Sequence, residues 1–162
     1  MVRIKFLFLT FLAVASLHSQ DSTITYKNYF GFAASRVSGV GLLFGTEATP
    51  DVNLQFTGGI FRTSSNSFSS FGLELQYNLQ NSSGGRIYVG PAFGGFNETN
   101  DIGTSHEGNN SEFVVGLAMG VVVPIKGIFS DRLRASATLY YPTFYKDNSI
   151  SVGFGATLHF LF

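Results

Sequence analysis

From residue 26 onward the chain alternates between apolar and polar or very small residues, in short segments separated by clusters of Gly, Asn, Ser and Pro. A period of two is the signature of a strand with two unlike faces. The segments fall at 26–35, 38–45, 52–62, 68–79, 86–96, 112–123, 132–144 and 150–162. Between them lie Arg36-Val37, Thr46 to Asp51, Thr63 to Ser67, Gln80 to Gly85, Asn97 to Ser111, Pro124 to Asp131 and Tyr145 to Ser149. Many short strands punctuated in this way predict a sandwich or a barrel. No helical period is sustained over three turns. The sixth segment, Phe113 to Val123, is apolar on both faces apart from its glycines, and its Val content and flanking Gly and Pro favour a strand over a short helix.

The two faces differ in kind. In the third segment Val52, Leu54, Phe56, Gly58 and Ile60 oppose Asn53, Gln55, Thr57 and Gly59. In the fourth, Phe71, Leu73, Leu75, Tyr77 and Leu79 oppose Ser70, Gly72, Glu74, Gln76 and Asn78. The seventh sets Leu133, Ala135, Ala137, Leu139 and Tyr141 against Arg132, Arg134, Ser136, Thr138 and Tyr140. The eighth sets Val152, Phe154, Ala156, Leu158, Phe160 and Phe162 against Ser151, Gly153, Gly155, Thr157 and His159. An eight-stranded barrel has an interior just wide enough for side chains to fill it. Phe and Leu from every strand would overfill that space, whereas Gly, Ser, Thr and Asn fit. The large apolar face therefore points outward, and such a surface belongs in lipid. The fold expected is all-β: a closed antiparallel up-and-down transmembrane β-barrel of eight strands.

Charge placement agrees with this parity. A Lys or Arg facing mid-bilayer costs about 2–4 kcal/mol, and Glu74, Arg132 and Arg134 all fall on the polar face. Arg62 has the apolar parity but lies at a strand end, where headgroups begin. Tyr77, Tyr88, Tyr141 and Phe144 are placed for interfacial aromatic girdles. Pro91 falls inside the fifth segment and removes a ladder donor, so a bulge is expected near Pro91 or Gly94-Gly95.

Composition narrows the picture further. The 162 residues make room for one domain. Hydrophobic residues reach 44% while charged residues are only 12%, yet no internal run approaches the ~18 apolar residues of a spanning helix. Net charge is zero, so there is no basic patch for nucleic acid. Cysteine is absent, which excludes disulfides, thiolate catalysis and Cys-ligated metals.

The first residues read as a leader. Arg3 and Lys5 precede an apolar stretch from Phe6 to Leu17, and small residues follow at Ala13-Val14-Ala15 and Ser19. This is the order of a secretory signal peptide. It is expected over 1–20, with cleavage after Ala15 or near Ser19 and Gln20, leaving a barrel over 21–162. Without Arg3 and Lys5 the chain has eight basic and ten acidic residues. An even strand count puts both termini on the periplasmic side, and the longest connection, Asn97 to Ser111, then faces outside.

Candidate chemistry is sparse. His106 and His159 are the histidines beyond the leader, and neither begins the His-x-Ser spacing of a lipid A deacylase. Asp101, His106 and Glu107, with Glu98 and Glu112, form either a solvated acidic loop or a cation site; their spacing matches no cation-loop pattern. No cofactor is implied. Lys27, Glu74 and Arg134 should project into the lumen, and buried charges must pair. The expectation is a Glu74–Arg134 ion pair or a three-way network with Lys27, plugging the barrel or gating a narrow pore.

The last segment carries a resemblance. Phe154, Ala156, Leu158, Phe160 and the terminal Phe162 alternate and end in an aromatic residue. In this the chain resembles the small eight-stranded outer-membrane proteins of the OmpA/OmpX barrel type, with Ala156 the weak position. The resemblance implies a monomer in the outer membrane of a Gram-negative bacterium, surrounded by outer-membrane lipids. It implies that Phe154, Leu158, Phe160 and Phe162 are read by the barrel-assembly machinery, with periplasmic chaperones as earlier partners. It also implies a non-enzymatic role in membrane integrity or surface interaction through external loops. A lipid A-modifying enzyme and a narrow pore are the alternatives.

Overall fold

The computed structural model describes residues 27–82, 84–100, 102, 108–127, 132–145 and 150–162. The expected leader, and the loop residues Asp101, His106 and Glu107, lie outside the described residues. The strands are β1 (Asn28–Ser35), β2 (Val40–Thr49), β3 (Val52–Arg62), β4 (Ser67–Ser82), β5 (Gly85–Asn100), β6 (Gly108–Pro124), β7 (Leu133–Phe144) and β8 (Ile150–Leu161). Each runs antiparallel to the next, and β1 pairs with β8 from Tyr29↔Leu161 to Ser35↔Gly155, closing the ring. Closure leaves no edge along the paired stretch. Following paired residues from Tyr29 through Gly45, Gln55, Glu74, Ala92, Gly116, Thr143 and Ser151 returns to β1 about ten residues further on. A stagger of that size tilts the strands by about 40°.

The large apolar face points outward as the alternation required. Phe32, Ile60, Phe71, Tyr77, Leu117 and Phe154 are all exposed, Ile60 to 80%. On β6 the outward residues Phe113, Val115, Leu117, Met119, Val121 and Val123 form an unbroken apolar column. Its ten-residue rise is about 33 Å along the strand. At the tilt above that is roughly 25 Å of height, the thickness of an outer-membrane apolar band. Beyond Phe113 the β5–β6 hairpin turns polar on both faces through Glu112, Ser111, Asn110 and Asn109, yet the ladder continues to Asn100↔Gly108. Most of the expected fifth loop is therefore paired strand standing clear of the apolar band.

The opposite end of the barrel carries both ends of the described chain, where Asn28 and Phe162 exchange backbone hydrogen bonds. Two of the turns there are short. The β2–β3 ladder reaches Thr49↔Val52 around Pro50-Asp51, and β4–β5 reaches Ser82↔Gly85. The second connection is thus tighter than the polar run from Thr46 suggested, because β2 continues past residue 45.

The bulge expected at Pro91 is absent. The β5–β6 register runs unshifted from Arg86↔Val122 to Asn100↔Gly108, and β4–β5 keeps one register on both sides of Pro91. The missing N–H leaves a gap in one ladder and does not insert a residue. Register shifts lie instead at Glu47/Thr49, at Asn78/Gln80 and at Tyr141-Pro142, where β7 shifts against both β6 and β8. A bulge there absorbs a proline that two continuous ladders would have to accommodate.

The core is the lumen. One buried cluster joins Val37, Tyr88, Ala92, Val114, Ala118, Val122 and Tyr140; a smaller one joins Tyr29, Ala33 and Leu43. Three inward tyrosines fit because glycines lie beneath two of them. A Cβ on Gly45 would stand 2.0 Å from the Tyr29 ring, and one on Gly120 would stand 2.4 Å from the Tyr88 ring.

Candidate functional site: the barrel lumen

The turn after β1 folds inward. The Ser35 hydroxyl accepts the backbone N–H groups of Val37 and Ser38, each at 3.0 Å, a Ser-turn that bends the chain towards the axis. Gly39, at φ 89°, reverses it in a conformation that L side chains rarely adopt. The return is fixed to β4, where the Ser70 hydroxyl accepts from the Val40 N–H at 2.9 Å and donates to the Val40 carbonyl at 2.7 Å. As a result Val37 and Ser38 are buried inside the ring. The barrel wall is shaped to admit them. A Cβ on Gly72 would lie 1.9 Å from the Ser38 carbonyl oxygen, and one on Gly94 would lie 1.9 Å from that of Val37.

From Ser38 a chain of hydrogen bonds descends through the lumen. The Ser38 hydroxyl meets the Tyr140 hydroxyl at 2.8 Å, and Tyr140 donates to Glu74 Oε2 at 2.9 Å. Glu74 Oε1 accepts from Gln76 Nε2 at 2.7 Å. Gln76 Oε1 in turn accepts from an Arg86 terminal nitrogen at 2.7 Å. Glu74 is fully buried. Removing a carboxylate from water is offset here by charge-assisted bonds to two neutral donors, with Arg86 one amide away. Beside the chain Tyr88 and Thr138 share a hydroxyl–hydroxyl contact at 2.7 Å.

Cavities lie on either side of this layer. Towards the far end lies a cavity of about 230 Å³ lined by Ser35, Arg36, Phe68, Phe96, Glu98 and Glu112, among others. Towards the chain ends lies one of about 270 Å³, whose lining includes Lys27, Tyr29, Glu47, Arg86, Arg134 and His159. His159 is buried, with Nδ1 at 3.1 Å from the Thr157 hydroxyl and its ring 4.6 Å from that of Tyr29.

No family model matches this chain, and no curated protein matches it. Among solved structures, the N-terminal β-barrel domain of Pseudomonas aeruginosa OprF superposes with a TM-score of 0.57 at 19% identity, covering 84% of this chain and 98% of that one. The chain has the fold of the small eight-stranded outer-membrane β-barrels. Looser matches are Ail of Yersinia pestis and CarO of Acinetobacter baumannii, with TM-scores of 0.46 and 0.41 and identities of 15% and 9%. They cover 83% and 88% of this chain, and 95% and 100% of their own.

Within that fold the expected residues take the following places. Phe154, Leu158, Phe160 and Phe162 all face outward and are exposed. Glu74 does project into the lumen, but its bonds go to Gln76 and Tyr140 and not to Arg134. Arg134 and Lys27 line the cavity at the chain ends, to which Glu74 does not contribute. The expected three-way network is therefore not formed. The reason is depth: Glu74 sits mid-barrel opposite Gln55 and Ala92, whereas Arg134 is paired with Pro124 and His159 near the rim.

Two further expectations are corrected. Tyr88 belongs to the lumen and not to a girdle, since it shares the inward parity of Gly90 and Ala92. Arg132 stands before β7 with its guanidinium 6.0 Å from the outward-facing Phe160 ring, so it covers the rim and does not enter the lumen. Arg86 was detectable from sequence, because it shares the small-residue parity of β5 with Tyr88. Val37 was not: it sits in a break between segments, where alternation carries no information. Its trace is a set of glycines on other strands: Gly94, Gly116 and Gly153 lie against Val37, and Gly72 against Ser38.

Proposed function

We propose that the chain is an integral outer-membrane barrel without enzymatic activity, non-conducting, acting through what its far-end hairpins present outside the cell. The observation that carries this reading is the layer of Val37, Ser38, Tyr140, Glu74 and Gln76 between the two cavities. A buried carboxylate inside a hydrogen-bonded layer is expensive to expose, so the layer favours a closed lumen. The chain ends would face the periplasm and the long polar β5–β6 hairpin the exterior, as in barrels with short periplasmic turns. The leader at 1–20 would direct export, and Phe154, Leu158, Phe160 and Phe162 would present the outward stripe that the assembly machinery reads. A lipid-modifying enzyme is disfavoured by His159, which is held in the lumen by Thr157 and Tyr29, away from acyl chains.

The test is planar-bilayer conductance of the purified barrel, alongside fractionation and heat-modifiable gel mobility. The expected result is a heat-modifiable outer-membrane species that gives no steady channels. Steady channels would refute the closed lumen, and a lipid A mass shift that depends on the gene would refute the non-enzymatic reading.

A further inference from the structure

The cavity at the chain ends is chemically unlike the rest of the interior. Five buried side-chain polar atoms among the described residues have no hydrogen-bond partner within the protein, and three of them belong to residues lining this one cavity: the Tyr29 hydroxyl, Arg86 Nε and Arg134 Nε. All three are donors. Arg86 and Arg134 repel one another across the space, and Glu47 is the one acidic residue among the described lining residues. Tyr29 is itself only 3% exposed. Two neighbouring amides are already engaged: Asn53 donates to Asn78 at 3.2 Å, and Asn78 donates to the Pro50 carbonyl at 3.1 Å. The unmet buried capacity is therefore that of donors on two guanidiniums and a phenol, in about 270 Å³, room enough for a group the size of a phosphate with water.

We propose that this cavity binds a tetrahedral oxyanion of the phosphate class, gripped between the Arg86 and Arg134 guanidiniums with the Tyr29 hydroxyl as third donor. Guanidinium forks match phosphate oxygens in geometry as well as charge. An anion placed there satisfies three orphaned donors and screens the repulsion between two arginines. The inference rests on the proposed orientation only for which compartment supplies the anion. A free phosphate and the phosphoryl headgroup of an inner-leaflet lipid carry the same chemistry.

The test uses the folded full barrel in a non-ionic micelle, its fold confirmed by heat-modifiable mobility. Arginine Nε–H resonances are followed by NMR as inorganic phosphate, and separately phosphatidylglycerol, is added. The expected result is saturable movement of the Arg86 and Arg134 signals, and an affinity about tenfold weaker in Arg134→Gln than in wild type. Arg134→Lys should retain part of it. Lys126→Gln, in the β6–β7 turn, should leave it unchanged. Movement with phosphate assigns the site to a soluble anion, and movement with the lipid alone assigns it to a headgroup. Unsaturable shifts with both, or equal weakening in Lys126→Gln, would overturn the proposal. A barrel that conducts yet still binds phosphate would sink the closed-lumen reading and leave this one standing.

Discussion

The two halves of the lumen solve the same problem in opposite ways. Above mid-barrel, the chain itself enters the ring: Val37 and Ser38 take up the space, and Ser38, Tyr140, Glu74 and Gln76 are linked partner to partner. Towards the chain ends, Arg86, Arg134 and Tyr29 border open volume, and one donor of each finds nothing in the protein to bond. The upper layer meets its buried carboxylate with donors of its own, whereas the arginines of the lower cavity keep donors that the protein does not meet. Stability should therefore be concentrated in the upper half and ligand response in the lower, and substitutions in the two halves should differ in sign.

The largest effect is expected where the wall admits the turn. Gly94→Val puts side-chain atoms where the Val37 carbonyl lies, and Gly72→Val does the same at Ser38. Each should destabilise the barrel by about 3 kcal/mol, the upper range for overpacking, measured by urea unfolding in vesicles. The relief available is expulsion of the turn, so steady conductance should appear in these variants. If both variants unfold like wild type and stay silent, the turn does not occupy the lumen in the membrane.

Next comes the buried carboxylate. Glu74→Ala removes the acceptor for Tyr140 and Gln76 together and should cost about 2–3 kcal/mol in the same unfolding assay. Glu74→Gln keeps an oxygen for one of them and should cost about 1 kcal/mol. Equal losses from the two substitutions would mean that the negative charge, and not its role as acceptor, holds the layer. The coupling between turn and wall is the finer test. A double-mutant cycle of Ser38→Ala and Tyr140→Phe should give an interaction of about 1 kcal/mol, because the two hydroxyls meet at 2.8 Å.

These sites differ in how far the sequence disclosed them. Strand number, closure and the outward face followed from period-two alternation with the small capacity of an eight-stranded lumen, since side-chain parity is a local property. Glu74 followed for the same reason. Its partners did not, because parity says which face a residue takes and nothing about its height in a tilted ring. Stagger alone separates Glu74 from Arg134, and stagger is set by pairings that no single segment contains. Val37 was hidden more deeply. Its burial depends on backbone approaching Gly72 and Gly94, two positions that read in sequence simply as small lumen residues. Pro91 and Pro142 show the same limit: both interrupt a strand pattern, and only the register tells which one the sheet bulges around.

The smallest effect on stability is also the most discriminating. Arg134 has a buried Nε without a partner and faces a second arginine, so its charge does little for the fold in the absence of an anion. Replacing it with methionine keeps the aliphatic stem packed near the rim while removing the repulsion and the orphaned donor. Arg134→Met should leave unfolding in phosphate-free buffer within about 1 kcal/mol of wild type, on the stabilising side. Adding phosphate should then reverse the order, because only wild type gains stability from binding to its folded state. An upper-half variant such as Tyr140→Phe should lose about 1 kcal/mol with or without phosphate. A marked loss of stability in Arg134→Met without phosphate would show that the lower half is held by internal pairing after all, and the contrast between the two ends would collapse.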